Sequence, residues 1–158
     1  MNTHIKYIND MAEKALLVIG SKVLPVAVNE IAGKFNLKVV EFDFPDSFSG
    51  VLKRERGVIG VNKKHALVRQ RFTIAHELGH FVLGHSIGNT DDVMDDSFDK
   101  PIHNEKEANI FASAILMPEK WLKEEIKGRP LDLKSLASSF CVSEQALTIR
   151  LLQLNLIK

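Results

Sequence analysis

Ile5, Ile8, Ala12, Ala15, Leu16 and Ile19 recur at intervals of three and four, with Lys6, Asp10, Glu13 and Lys14 between them. That spacing predicts an amphipathic helix ending near Gly20. Pro25 introduces a second short helix over about 26–35. At 37–44 the period falls to two, with Val40, Phe42 and Phe44 on one side. This predicts a strand half-buried against a core, broken by Pro45-Asp46. Residues 49–54 and 58–62 read as two further strands joined around Gly57 in a hairpin. Helical spacing returns at Arg69 and runs to about Leu83, where Gly84 stops it. Residues 84–104 are polar and carry Asp91, Asp92, Asp95, Asp96 and Asp99. They read as a solvated loop, with a lid or a patch steering a basic substrate as the functional alternative. A helix follows over about 104–117. Pro118 closes it and can open the next, which contains Trp121 and Ile126 and ends at Gly128-Arg129-Pro130. Residues 131–158 read as two helices hinged at Cys141-Val142-Ser143.

Strands grouped together and followed by helices predict an α+β fold. The expected organisation is a domain over 1–130 and a helix-turn-helix-like tail over 131–158 packed on it. With 45% apolar residues in 158, the chain can bury a core without staples. Its 21 basic and 20 acidic residues leave a formal charge of +1, so no global field draws it to nucleic acid or an anionic membrane. Cys141 is the single cysteine, which excludes an internal disulfide and fits a reducing compartment. The charges among the first fourteen residues interrupt any signal-peptide stretch, and the apolar runs are too short to span a bilayer. The expected location is the cytoplasm.

Residues 76–80 read His-Glu-Leu-Gly-His. Histidines at i and i+4 leave one helix face a turn apart, where their ring nitrogens can meet on one zinc ion. Such an ion, with one coordination position open, activates a water, and Glu77, beside His76, is placed to take its proton as general base. The ordinary alternative is a buried helix whose histidines only form local hydrogen bonds.

Catalytic zinc takes three protein ligands. A histidine six residues beyond His80 would fall at Ser86, which cannot serve. His85 is one position out of register and reads as a surface or capping histidine at the helix exit. A carboxylate on the following helix is the other source. Glu107 shares a face with Phe111, Ala114 and Ile115, which turns it inward, and a lone inward carboxylate is costly unless paired or bound to a metal. Glu105 falls far round that helix, where an acid in the first turn suits the macrodipole. Glu107 is therefore the expected third ligand.

The run Gln70-Arg71-Phe72-Thr73-Ile74-Ala75 leading into His76-Glu77-Leu78-Gly79-His80 resembles the core of the ImmA/IrrE metallopeptidases. So does Glu107-Ala108-Asn109-Ile110-Phe111-Ala112, continuing to Leu116-Met117-Pro118, and the tail from Leu136 to Leu151. The resemblance implies a gluzincin-like arrangement, with a short twisted, antiparallel-rich sheet over the active-site helix. It implies His76, His80 and Glu107 as zinc ligands and Glu77 as catalytic base. It also implies a protein substrate, often a helix-turn-helix repressor of a mobile element or stress regulon, whose cleavage relieves repression.

Other features carry less. The second tail helix offers Glu144, Gln145, Thr148, Arg150 and Gln153, a single positive charge, which disfavours direct DNA binding and favours a structural or protein-docking role. Residues 58–62 are the candidate for pairing with substrate backbone, unless that strand has no open edge. Arg71 and His103 are both candidates for stabilising an oxyanion. The competing function is a regulatory binding protein that keeps the fold without turnover. The presence of Glu77 argues against it, because a binder needs no base.

Overall fold

The computed structural model describes residues 2–85 and 101–158. The Asp-rich segment and Ser86 lie outside the described residues. Helix α1 (Thr3–Leu16) is capped by Asn2, whose side chain accepts from His4 N at 2.8 Å, and it tightens into a 3₁₀ turn before Gly20 at φ +77°. Then come α2 (Val28–Lys34), β1 (Lys38–Phe42), β2 (Gly50–Lys53), β3 (Val58–Asn62) and α3 (Leu67–Val82). The chain continues through α4 (Ile102–Leu116), α5 (Glu119–Ile126), α6 (Leu133–Phe140) and α7 (Glu144–Gln153). The architecture is α+β, as the segregation of strands and helices implied.

The sheet is small and mixed. Its order is β1-β3-β2, with β1 parallel and β2 antiparallel to β3. The β2–β3 hairpin is the one expected around Gly57, which takes φ +63°. Two sequence expectations change here. Strand β3 is central, so both its edges are taken and residues 58–62 cannot pair with a substrate. On β1 it is Val39, not Val40 and Phe42, that packs on the main core. Phe42 lies across the opposite face, 41% exposed, over Gly60, where a Cβ would come within 3.0 Å of its ring.

Helices α3 and α4 pack face to face, and α1 covers α4 from another side. Because α4 has two neighbours, its buried residues run more than halfway round it, from Ala114 and Glu107 through Phe111 and Ile115 to Ala112 and Leu116. Gly79 on α3 makes the approach close. A Cβ there would stand 3.0 Å from the Phe111 ring.

The tail folds back on this core. Cys141 adopts the left-handed conformation at φ +51°, so that its N–H reaches Ser138 O and the next N–H reaches Ala137 O. Ser143 caps α7 by accepting from Ala146 N at 3.1 Å. Leu136, Phe140, Leu147 and Leu151 join the same buried cluster as α1, α3 and α4. Arg150 is interior: its Nε donates to Met117 O and its Nη1 to Asn9 Oδ1, each at 3.1 Å. Burial pulls its pKa down to about 10. Among the described residues no helix is long and apolar enough to cross a membrane.

Candidate metal centre

The middle of α3 is buried from Thr73 to His80, and His76, Glu77 and His80 are all inside it. One helical turn separates the two imidazoles. Their rings stand at 87° with centroids 4.7 Å apart, and their Nε2 atoms are 3.1 Å apart. The carboxylate that meets them is Glu105. Its Oε2 lies 3.0 Å from His76 Nε2 and its Oε1 2.8 Å from His80 Nε2. Glu107, the third ligand expected from the sequence, is not in this group. The face of α4 turned to the histidines carries Glu105, Ala108, Asn109 and Ala112, one stripe at i, i+3, i+4 and i+7. The apolar stripe that singled out Glu107 is the shoulder of a helix buried on two sides.

Hydrogen bonds behind the rings orient them. Asn109 Oδ1 accepts from His76 Nδ1–H at 2.8 Å. Behind His80 stands His85, which is buried and not the surface histidine expected. The end of α3 explains its position. Gly84 takes φ +71° and donates to Phe81 O, while His85 N donates to His80 O at 3.0 Å, which folds the residue after the glycine back over His80. Arg54, just after β2, locks the turn by donating to His80 O at 3.0 Å and His85 O at 2.8 Å. Glu107 Oε1 accepts from His85 Nε2–H at 2.8 Å. His85 Nδ1 is thereby an acceptor, and it takes the proton of His80 Nδ1 at 2.9 Å. Both Nε2 atoms thus present lone pairs towards Glu105.

Three electron-pair donors 2.8–3.1 Å apart suit a divalent cation. Bonds of about 2.0–2.1 Å in a tetrahedral set place donors about 3.3 Å apart, close to the separations here. The outer partners, an amide and a histidine–carboxylate pair, are of the kind that fixes the tautomer of ligating imidazoles.

Glu107 belongs to a different neighbourhood. Burial works to raise its pKa, but hydrogen bonds from His85 and His4 and the charge of His103 outweigh this and hold it below the ordinary carboxylate range. Arg71 donates to Val26 O at 2.7 Å, with burial lowering its pKa, and His103 lies against Glu107. Sequence reasoning missed Glu105, Asn109 and His85. The small residues Ala108 and Ala112, on the same stripe as Glu105, were the available signal for the contact face. Gly84 was the signal for the return of His85.

Known proteins bear on this geometry. Residues 32–152, well over half the chain, match the peptidase family described as the IrrE N-terminal-like domain. The radiation response metalloprotease IrrE of Deinococcus radiodurans is 37% identical over 84 residues, covering 49% of this chain and 24% of that protein. In structure the chain is similar to a Mycobacterium tuberculosis transcriptional regulator, with TM-score 0.66 and 19% identity over 92% of this chain and 46% of that one. The chain therefore spans about a quarter of the curated relative and under half of the structural one, and the latter likeness speaks for the fold alone. A helix bearing two histidines one turn apart, met by a glutamate from a neighbouring helix, agrees with the family match, and the chain belongs to the ImmA/IrrE family of metallopeptidase domains.

Proposed function

We propose that this chain is a zinc-dependent endopeptidase whose ion is held by His76, His80 and Glu105, with Glu77 as the catalytic base. The observation that carries the reading is the convergence of two oriented imidazoles and one carboxylate, with Glu77 next to His76 in the chain. When bound, zinc polarises the scissile carbonyl and acidifies a water. Asn109 and the His85–Glu107 pair hold the two imidazoles in the ligating tautomer. The Glu77 carboxylate takes one proton from the attacking water and delivers it to the amide nitrogen as the C–N bond breaks. With β3 enclosed, the outer strand β2 becomes the candidate partner for an extended substrate backbone, since Arg54 at its end is bonded to the His80 carbonyl.

The substrate of this reading is a protein, and the family resemblance favours a helix-turn-helix repressor. The interior position of Arg150 supports a tail that packs within the protein over one that reads DNA. The lone thiol of Cys141 fits action in the cytoplasm. The test is Glu77→Gln, assayed for cleavage of helix-turn-helix repressors from the same cell. The variant is expected to keep its metal and lose cleavage by at least about 100-fold. If derepression persists unchanged in Glu77→Gln, the chain acts by binding and not by proteolysis.

A further inference from the structure

A second group of ligand-type side chains meets on the other flank of α4. We propose that His4, His103 and Glu107 form a second, solvent-facing site for a divalent transition-metal ion of zinc's class. It shares no ligand with the His76, His80 and Glu105 centre. Glu107 Oε2 lies 2.5 Å from His4 Nε2 and 2.6 Å from His103 Nε2. All three donor atoms fall within 4.8 Å of one another.

The elements make this convergence specific. His103 and Glu107 are i and i+4 on α4 and so share a face, while His4 comes from the first turn of α1, packed alongside. The two imidazoles stack with centroids 5.6 Å apart at 15°, so both offer Nε2 to the same oxygen. Glu107 is fixed, because its other oxygen is held by His85 at 2.8 Å. Read as hydrogen bonds alone, the contact would turn two stacked Nε2–H groups onto one carboxylate oxygen. One divalent cation instead uses the lone pairs of both rings and the carboxylate.

Two imidazoles and one carboxylate suit zinc, nickel, copper or cobalt better than magnesium or calcium, which prefer all-oxygen sites. The side chains of His4 and His103 are 52% and 72% exposed, so an ion enters from solvent and water completes its coordination. His4 lies outside the stretch that matches the family.

Calorimetric titration of zinc into the metal-stripped full chain tests the proposal. Two equivalents per chain are expected, falling to one in His4→Ala/His103→Ala. Each single variant should weaken the second class at least about 10-fold. These histidines are exposed, so the variants should melt within a few degrees of the parent. His76→Ala/His80→Ala should keep one equivalent, so failure of the inner centre registers separately. The same zinc stoichiometry in His4→Ala/His103→Ala as in the parent, or no equivalent left in His76→Ala/His80→Ala, overturns the second site.

Discussion

Two positions apart on α4, Glu105 and Glu107 point about 160° apart round the helix, because each residue turns about 100°. That angle decides which carboxylate meets the imidazoles. Glu105 faces α3 with both oxygens on Nε2 atoms, whereas Glu107 reaches His80 only through His85. The two substitutions should therefore differ in degree. Glu105→Ala removes a ligand and should weaken the tight zinc site by more than about 100-fold. Glu107→Ala removes an outer partner and should stay within the roughly 10–100-fold such partners contribute. Competition against a chelator measures both, and the reverse order would exclude Glu105 as ligand. The two histidines were legible because i, i+4 spacing is local and holds on any helix. Glu105 was not, because apolar periodicity reports burial without saying which buried side meets which neighbour. Its stripe is marked by alanines and Asn109, which weigh little on a hydropathy pattern, while Phe111 and Ile115 draw the eye to Glu107.

The distance between α3 and α4 sets the centre at the scale of elements. Gly79 sits between His76 and His80 in sequence and against the Phe111 ring in space. Any larger residue there must push α4 outward or force Phe111 off its rotamer. Gly79→Val should cost about 1–3 kcal/mol of stability as overpacking. Because the push falls on Phe111, fewer than two turns from Glu105, zinc affinity should drop along with it. Urea unfolding and zinc titration of the same sample check this, and an unchanged denaturation midpoint would mean that α4 does not press on Gly79. Element types were largely legible from period and from Gly and Pro, as with Gly20, Gly84 and Pro118. Sheet order was not. The parallel β1–β3 pairing depends on a crossover that leaves no trace in either strand's own pattern, so β3 could pass for an edge. The outlook of His85 was likewise hidden in a backbone turn, although Gly84 at the helix exit is the residue such a turn requires.

At the scale of the molecule, the candidate centre lies between packed helices and adds polar links to the core they share. It ties α3 to α4, and the outer hydrogen bonds extend through His85 and Glu107 to His4 at the start of α1. Those parts already share one core, so the chain can fold without an ion, but three electron-rich groups packed together oppose it. Zinc bound only by the folded state should stabilise by RT ln(1 + [Zn]/Kd), about 4 kcal/mol at 1,000 times Kd. For a chain of this size that is a rise of roughly 8–16 °C in melting temperature. The measurement belongs in the His4→Ala/His103→Ala background, where the outer site adds nothing. Glu77→Gln should keep the whole rise, since the base is no ligand, and Glu105→Ala should lose most of it. An equal rise in both would mean that the stabilising ion sits elsewhere, and the link between this fold and its proposed chemistry would fail with it.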